Sequence, residues 1–429
     1  MTQYGQIPGV QVTTSAGTVS GVTIGTESYL VLVGLAPNAS AEPNEPIPLE
    51  SRDTVVEEFG EDSDILVAFD QARANGADPS FMVGIHASTS GGNETPASTS
   101  GTLDERPTPY QPHFSGTDQD VNFVYGEPET PDSENTININ PVTREWDADD
   151  SVDEIDYRTA NWEEAIRAAE GALSEGEFGV IAPLTLDSDA VTELQTELTT
   201  MRERELKMAV GVVAAEPNMT VGDEQPGYDT TEIASAYNDD TLFSVAGAVL
   251  ADRGSDQVGY TTDALGAVAG LFAAAPNTDP VYDDNLTGVG ELAQSFSRAD
   301  ITAFRDEYII PIRDTGTVRV MDNHSTYNQD TDGGWERDFF RRRVVDLATV
   351  TSYRIARRQI GGILDTDTVA DVEDALTVEL EDLAEDSLLQ PGGQEVNAYR
   401  SDDKTIGVDL QISPFGVAKA AEVDLEILA

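Results

Sequence analysis

Short apolar runs alternate with amphipathic stretches along most of the chain. Unbroken apolar runs predict buried strands, namely Tyr29–Gly34, Phe81–Ile85, Phe178–Pro183, Met208–Ala214 and Thr241–Ala246. Apolar residues three and four apart predict helices, namely Thr54–Gly60, Ile65–Ala74, Trp162–Leu173, Asp189–Glu205 and Ala264–Ala275. Two more strands are predicted, at Ile309–Ile312 and Thr317–Val320. Because strands alternate with helices, the pattern favours an α/β fold whose mostly parallel sheet is covered on both faces.

Two regions depart from this alternation. Residues 87–155 are rich in Ser, Thr, Gly, Pro, Asp and Asn, with only short alternations such as Val121–Tyr125, which predicts a surface loop or a small β insertion. The last hundred residues predict a separate α+β unit with two helices, Trp335–Gln359 and Thr368–Glu385. Two alternating strands follow, over Ile406–Ile412 and 423–427, with a turn at Pro414 between them.

The N-terminus carries one strand-like alternation, Val10–Thr13, and no hairpin partner is evident near it. Either residues 1–20 are a frayed terminus, or this strand pairs with another subunit, because a bare strand edge needs to be covered. The C-terminal strand faces a similar choice, since a two-stranded hairpin with Ile406–Ile412 is marginal alone. Strand addition between subunits satisfies both ends of the chain. The residues predicted to take part are Val10, Val12, Val423, Leu425 and Ile427.

The charge of the chain is extreme, with 80 acidic residues against 24 basic ones and a formal net charge of −56. Only three of the basic residues are Lys. This balance indicates a halophilic protein, because at about 1 M salt the Debye length falls to roughly 3 Å and neighbouring carboxylates scarcely repel. The same charge argues against nucleic-acid binding, which requires a basic surface.

Other features exclude several further classes of protein. The chain has no cysteine, which excludes disulfides, thiolate metal sites and cysteine nucleophiles. No apolar run reaches the roughly 18 residues of a transmembrane helix, so we expect no membrane insertion. The first ten residues lack the charged and apolar regions of a signal peptide. We therefore expect a protein that is made and kept in the cytoplasm unless it leaves as part of a particle.

The sequence shows no recognisable catalytic or cofactor motif. The three histidines, His86, His113 and His324, lie in different segments, and the GxSxG nucleophile elbow is absent. Phosphate-binding and dinucleotide-binding glycine motifs are also absent. Asn328–Gly334 begins like a calcium-binding loop, but Phe339 occupies the twelfth position, where a bidentate carboxylate is needed. We therefore predict no enzyme activity, no cofactor and no metal site; a halophilic α/β enzyme with a cryptic site and a structural shell protein are the competing classes.

The order and spacing of several segments resemble contractile tail sheath proteins of phages and archaeal viruses. Ile7–Val12 resembles the PGVYV start of the family's N-terminal arm, with Gln11 in place of the aromatic residue. The other similar segments are Tyr29–Gly34, Phe59–Gly60, Arg73–Ala77, Phe81–Val83, Gly266–Gly270 with Ala275–Asn277, Arg341–Asp346 and the closing strands. The family's Gly-Ala-Arg-Thr segment is not recognisable, and His324–Asp332 stands in its place.

This resemblance implies a structural subunit that needs no cofactor. Subunits of this family form six-fold rings, which stack around an inner tail tube and contract to drive the tube through a host envelope. The implied partners are further copies of the chain, the inner tube protein, and the baseplate and tail terminator proteins, all within the tail of a virion that is assembled in the host cytoplasm. The sheath of a non-viral contractile injection system is the alternative.

The resemblance also implies a division into segments, with an α+β C-terminal domain and exchanged terminal strands. The predicted segments are an N-terminal arm (1–20), a first α/β sheath segment (21–86), a surface-exposed β/loop insertion (87–155), a subtilisin-like α/β sheath domain (156–325), an inner α+β domain (326–416) and a C-terminal arm strand (417–429).

Basic residues concentrate in the predicted helix Trp335–Gln359. At 100° per residue, four arginines fall within roughly a third of the helix circumference. These are Arg342, Arg343, Arg354 and Arg357. Two interpretations stay open: the arginines pair with local carboxylates, or some of them contact an acidic inner tube.

Overall fold

The fold is given by a computed structural model. It describes residues 2–7, 10–14, 28–36, 39–61, 63–94, 98–102, 114–116, 122–125, 136–139, 145–152, 155–185, 188–214, 217–218, 227–228, 237–246, 262–275, 281–289, 296–327, 338–357, 366–385, 388–390, 392, 394–400 and 406–415. Two compact units are present: the larger contains residues 27–275 and 283–330, and the smaller contains residues 1–26, 276–282 and 331–429.

The strands are numbered here in chain order. They are β1 (Thr2–Ile7), β2 (Val10–Thr14), β3 (Ser28–Gly34), β4 (Ile47–Pro48), β5 (Met82–His86), β6 (Ser88–Glu94), β7 (Ser98–Thr102), β8 (Phe114–Gly116), β9 (Asn122–Tyr125), β10 (Thr136–Ile139), β11 (Glu145–Val152), β12 (Ile155–Asn161), β13 (Phe178–Pro183), β14 (Met208–Ala214), β15 (Pro217–Asn218), β16 (Gly227–Tyr228), β17 (Leu242–Ala246), β18 (Asp284–Asn285), β19 (Ile310–Asp314), β20 (Val318–Val320), β21 (Glu395–Arg400) and β22 (Ile406–Gln411). The α-helices are Arg52–Phe59, Asp64–Ala74, Trp162–Ala168, Ser188–Glu205, Thr262–Ala274, Arg298–Asp306, Phe339–Arg357 and Thr366–Glu385. Short 3-10 helices cover Pro79–Phe81 and Ala169–Ala172.

A large sheet organises the larger unit. Nine of the described strands form it, in the order β18-β20-β19-β17-β14-β13-β3-β5-β4. The strands from β19 to β5 run parallel, whereas β4, β20 and β18 are antiparallel to their neighbours. Every residue of β13, β14 and β17 is buried, which is why their sequences are unbroken apolar runs. The predicted α/β class with a mostly parallel sheet is confirmed.

Helices pack on this sheet through alternate residues of the same strands. On one face, Leu194 and Leu198 of helix Ser188–Glu205 belong to one apolar cluster with Val31 and Ile181. Leu30, which precedes Val31 in β3 and so lies on the other face of the strand, is fully buried as well. Helices Asp64–Ala74 and Thr262–Ala274 both contact β3. Burial of both faces of β3 fixes this strand at the centre of the core.

Two helices of this unit approach each other unusually closely. Helix Thr262–Ala274 carries Gly266 and Gly270 where it meets helix Asp64–Ala74. A Cβ atom at position 266 would lie 2.4 Å from the Cα of Ala68, and one at position 270 would lie 2.4 Å from the Cα of Ala72. Only glycine leaves room for backbone contact at this distance, which is inside the normal packing separation of carbon atoms.

The polar segment between β5 and helix Trp162–Ala168 forms two sheets among its described residues. One sheet has the order β7-β11-β10-β9 and the other has the order β6-β12-β8. The second sheet includes the first and last strands of the segment, β6 and β12, and Ser88 pairs directly with Asn161. The chain therefore leaves and re-enters the α/β unit at neighbouring positions. The predicted limits of this insertion, residues 87 and 155, stay a prediction.

A buried carboxyl group on helix Ser188–Glu205 lies within a cluster of charges. Glu197 is 5% exposed, and its Oε1 has no hydrogen-bond partner. Burial raises the pKa of Glu197, as do Glu170, Glu193 and Glu205, whereas Arg167 acts in the opposite direction. Folding therefore favours the protonated form of this side chain, and burial of its ionised form costs stability.

Glu197→Gln is expected to raise the free energy of unfolding at pH 7 by about 1 kcal/mol, the size of one buried polar interaction. A carboxyl group whose pKa is raised by folding stabilises the protein below its unfolded pKa and loses that contribution as pH rises through its folded pKa. The advantage of the amide should therefore vanish below about pH 4, where the parent carboxyl is protonated. Thermal melts between pH 4 and pH 8 measure this difference.

Glu203→Gln, on the same helix and partly exposed, is the matched control for this substitution. We expect this control to change the melting temperature little at any pH in the series. A Glu197→Gln protein that melts below the parent at pH 7 would contradict the predicted cost of the buried carboxylate.

The smaller unit is α+β. Its sheet has the order β1-β2-β22-β21 among the described residues. Helices Phe339–Arg357 and Thr366–Glu385, named here the arginine helix and the acidic helix, pack on one face of the β21–β22 hairpin. Residues of the arginine helix, the acidic helix and β21 meet in one cluster, which contains Ile355, Leu376 and Ala398. The two helices thus cover one face of the β21–β22 hairpin, which is half of this four-stranded sheet.

Candidate assembly site

The sheet of the smaller unit, named here the terminal sheet, brings the N-terminal strands to the C-terminal half of the chain. β1 and β2 form an antiparallel hairpin in which Tyr4 pairs with Val12. β2 then lies parallel to β22, with Val10 opposite Ile406. The expectation that no hairpin partner lies near Val10–Thr13 is wrong, because Thr2–Ile7, a polar segment with weak alternation, supplies one.

The inner half of the terminal sheet is the hairpin of β21 and β22. Val396 pairs with Leu410 and Ala398 with Val408, and these residues face the two helices. From the sequence, residues 423–427 were the predicted partner of β22. In the structure, β22 pairs with β21. Val423, Leu425 and Ile427 lie outside the described residues.

The other face of the same hairpin is open and polar. Glu395, Asn397, Asp409 and Gln411 occupy it, and each is exposed. Tyr399 lies across Gly407, where a Cβ atom would meet the tyrosine Cζ at 2.5 Å. The ring thereby covers backbone that a glycine leaves bare, as cross-strand aromatic residues do in other sheets.

Within the described residues, β21 forms the edge of the terminal sheet. One backbone group on it is occupied, since the N–H of Ala398 donates to Glu373 Oε2 of the acidic helix at 3.0 Å. This contact ties the edge strand to the helix beside it. A strand that added to this edge would have to displace the Glu373 carboxylate at that position.

The arginine helix places the four predicted arginines in two different environments. Arg342 and Arg343 are 1% and 3% exposed, whereas Arg354 and Arg357 are exposed. The guanidinium of Arg357 lies over the ring of Tyr353, 5.6 Å from its centroid. The four side chains therefore do not form one accessible group in the subunit.

The buried pair of arginines is compensated by Asp346, which is 1% exposed. Arg342 Nε donates to Asp346 Oδ1 at 3.1 Å, one helical turn away. Burial lowers the pKa of Arg343 to about 10, and the Asp346 carboxylate opposes that shift. Within the subunit, Arg342 therefore pairs with a local carboxylate, as the first of the two interpretations predicted.

The histidines show no catalytic grouping in the part of the chain that is described. His86 ends β5, and burial lowers its pKa. His324 Nε2 lies 3.2 Å from Asp322 Oδ2, which also accepts a hydrogen bond from Arg305 Nε at 2.6 Å. Arg305 and His324 thus both contact one fully buried carboxylate. His113 and Asn328–Gly334 lie outside the described residues.

In the described ranges, no group of three or more His, Asp or Glu side chains is placed to hold a metal ion. Among the described helices, none combines the length and the apolar composition that a bilayer crossing requires.

Several solved structures share this architecture over nearly the whole chain. A sheath tail protein from Desulfitobacterium hafniense covers 93% of this chain and 99% of its own, with a TM-score of 0.58 and 12% identity. The helical sheath of the anti-feeding prophage, in its contracted state, covers 98% of this chain and 99% of its own, with a TM-score of 0.60 and 12% identity. The chain has the contractile-sheath fold.

The match to the contracted sheath subunit leaves out about 2% of this chain, so it includes residues of both units. A sheath tail protein from Listeria innocua agrees with it, with a TM-score of 0.56 at 12% identity over 90% of this chain and 96% of its own. No protein-family model and no curated protein sequence matches the chain. The similarity thus lies in backbone architecture, which outlasts sequence similarity when apolar patterns are kept.

Proposed function

We propose that this chain is the structural subunit of a contractile tail sheath and that it is not an enzyme. The observation that carries the proposal is the fold match to a contracted helical sheath, which spans 98% of this chain and 99% of that subunit. A match of one domain alone would fit many functions, because common α/β domains host many activities. Because the match to the sheath subunit extends over both units of the chain, it favours one kind of assembly, a contractile sheath.

The terminal sheet supplies the means of linking subunits. β2 is attached to β22 by backbone pairing of Val10 with Ile406, so the N-terminal strands depend on a slot that every subunit carries. In an assembly, the same slot receives the N-terminal strands of a neighbour, and the backbone hydrogen bonds are kept. The predicted C-terminal participants Val423, Leu425 and Ile427 belong to the same proposal.

The remaining partners follow from this role. Copies of the chain form stacked six-fold rings around an inner tube, and the sheath ends meet a baseplate and a terminator. One of the matched structures is a baseplate of the anti-feeding prophage, with a TM-score of 0.51. Of the four predicted tube contacts, Arg354 and Arg357 are the exposed ones and are the residues proposed here. The location is then the tail of a particle.

A virus tail and a non-viral injection system are both consistent with this role. An extracellular contractile injection system sheath in its contracted state matches 99% of this chain with a TM-score of 0.53. That observation favours a non-viral injection system as much as the matches to sheath tail proteins favour a virus tail. Capsid and portal genes beside the gene for this chain would identify the viral case.

The first experiment is expression of the chain in molar salt with negative-stain microscopy of the product. We expect tubes or stacked rings from the full chain. Deletion of residues 1–15 should leave a soluble protein with nearly the same circular dichroism, because the α/β unit is untouched. The same deletion should abolish long sheaths. A truncated chain that forms normal contractile tubes would show that these strands do not link the rings.

A matched pair of double variants tests the register as well. Val10→Asp with Val12→Asp puts charges at the alternate positions that include Val10, which is in register with Ile406, whereas Gln11→Asp with Thr13→Asp puts the same charges at the intervening positions. The double variant at positions 10 and 12 should prevent assembly, and the double variant at positions 11 and 13 should permit it. Equal behaviour of the two pairs would argue against the pairing of β2 with β22.

Assembly is expected to depend on salt because every subunit carries a formal net charge of −56. Dialysis of assembled sheaths from molar salt to about 0.1 M lengthens the screening distance from roughly 3 Å to 10 Å. Repulsion between subunits should then disassemble the sheath or trigger contraction, as seen by microscopy. Sheaths that stay extended and intact through this dialysis would contradict the halophilic assignment.

A further inference from the structure

The chain makes a second, smaller set of backbone contacts directly after β22. Ile412 is 6% exposed and belongs to the apolar cluster of Val345 and Leu380. The next residues turn away from β21 and pair with the segment that follows the acidic helix. Gln390 N donates to Ser413 O at 3.0 Å, and Phe415 N donates to Leu388 O at 3.2 Å.

We name this contact the exit anchor; it consists of Leu388–Gln390 and Ser413–Phe415. Leu389 and Pro414 form an antiparallel bridge at its centre. Leu388 and Leu389 are 3% and 0% exposed, so one side of the anchor is fixed in the core. Phe415, at its outer end, is 37% exposed. The anchor therefore spans from the core of the smaller unit to its surface.

Two side chains hold the outer end by its carbonyl groups. Gln390 Nε2 donates to Pro414 O at 3.4 Å, and Arg341 Nε donates to Phe415 O at 3.4 Å. Arg341 is itself placed by the start of the arginine helix, where its N–H donates to Asp338 Oδ1 at 3.2 Å. The guanidinium thus links the first turn of a buried helix to the last residue of the anchor.

Pro414 stiffens the same point. Its ring fixes φ near −65° and restricts Ser413 to extended conformations. Proline also has no N–H, so the β22 ladder cannot continue through it. The backbone is therefore constrained at Ser413 and Pro414, the last residues before Phe415.

We propose that the exit anchor sets the direction in which the C-terminal segment with Val423, Leu425 and Ile427 leaves the subunit, and that Arg341, Gln390 and Pro414 are its positioning residues. This inference rests on the proposed function, in which that segment pairs with a neighbour. A fixed point of departure lowers the ordering cost of reaching the neighbouring sheet.

The test compares the full chain with Pro414→Gly and Arg341→Met in molar salt. Arg341→Met removes the donor and keeps an aliphatic stem. We expect each variant to match the parent in circular dichroism and to raise the critical concentration for tube formation about two- to fivefold, the effect of releasing one proline constraint. Pro43→Gly, at an exposed loop position of the larger unit, is the control and should leave that concentration unchanged.

Amide hydrogen exchange in the unassembled parent gives a second readout that does not require tubes. The Phe415 amide should be protected, since it donates to Leu388 O, and should exchange faster in Pro414→Gly. Tubes from all variants at the parental concentration, or an unprotected Phe415 amide, would overturn the exit anchor and leave the sheath role intact. A parent that never forms tubes would overturn the proposed function and this inference with it.

Discussion

Asp346→Asn is expected to lower the free energy of unfolding by about 3–5 kcal/mol, because it leaves buried arginine charge without its carboxylate. Arg342, Arg343 and Asp346 are all at most 3% exposed, and Arg342 Nε lies 3.1 Å from Asp346 Oδ1. The substitution preserves shape, removes the negative charge and replaces one acceptor oxygen with a donor NH2 group. Differential scanning calorimetry in molar salt should show the loss, since salt screens a buried pair poorly.

The matched control for this substitution is Asp374→Asn, an exposed position on the acidic helix. It should change stability by less than about 0.5 kcal/mol. Arg342→Met and Arg343→Met combined with Asp346→Leu remove all three buried charges and should recover much of the loss, because apolar replacements of buried ion pairs are often tolerated. If Asp346→Asn unfolds at the parental temperature, the pair contributes little and its burial needs another explanation.

Gly266→Ala is expected to destabilise the larger unit by about 2–3 kcal/mol, through overpacking rather than through any lost contact. The new methyl group would lie 2.4 Å from the Cα and 2.7 Å from the carbonyl oxygen of Ala68. Backbone atoms cannot rotate away, so helices Asp64–Ala74 and Thr262–Ala274 must separate. Chemical denaturation followed by circular dichroism measures the cost.

Two further variants make the Gly266 result specific. Gly171→Ala is the control, because a Cβ there meets only Pro46 Cγ at 3.7 Å, and stability should change by less than about 0.5 kcal/mol. Ala68→Gly should fail to rescue Gly266→Ala, since the clash is with main-chain atoms. Rescue by Ala68→Gly would show that the close contact is between side chains and that the helices lie farther apart.

The parts of the fold that the sequence predicted are those where one local signal is enough. The buried strands Phe178–Pro183 and Met208–Ala214 have the limits predicted for them, because a strand covered on both faces is a continuous apolar run. Helix Arg298–Asp306 was not predicted, although Ser297 and Asp300 form a capping box at its start. This nine-residue helix buries only Ile301 and Phe304, so its apolar face consists of two positions, although their spacing is helical.

The terminal sheet was harder to predict because its pairings join distant parts of the chain. β21 contains Glu395, Asn397 and Tyr399 on its open face, so its apolar positions are few. Its partner β22 was predicted, but the choice of neighbour depends on three-dimensional packing that a local pattern does not contain. The arginines illustrate the same limit: periodicity grouped Arg342 with Arg354, and tertiary packing buried only the first.

The place of β3 inside the large sheet, between strands from distant parts of the chain, has a consequence for how the chain is made. Its two neighbours are β5 and β13, and the pairing of Ser28 with Phe178 closes a loop of about 150 residues. At ribosomal rates of about 5–20 residues per second, β13 emerges roughly 8–30 s after β3. During that interval a largely apolar strand remains on the nascent chain with one edge unpaired, and its pairing with other nascent chains competes with folding. Slowing translation before β13 should therefore lower the soluble yield more than slowing it afterwards.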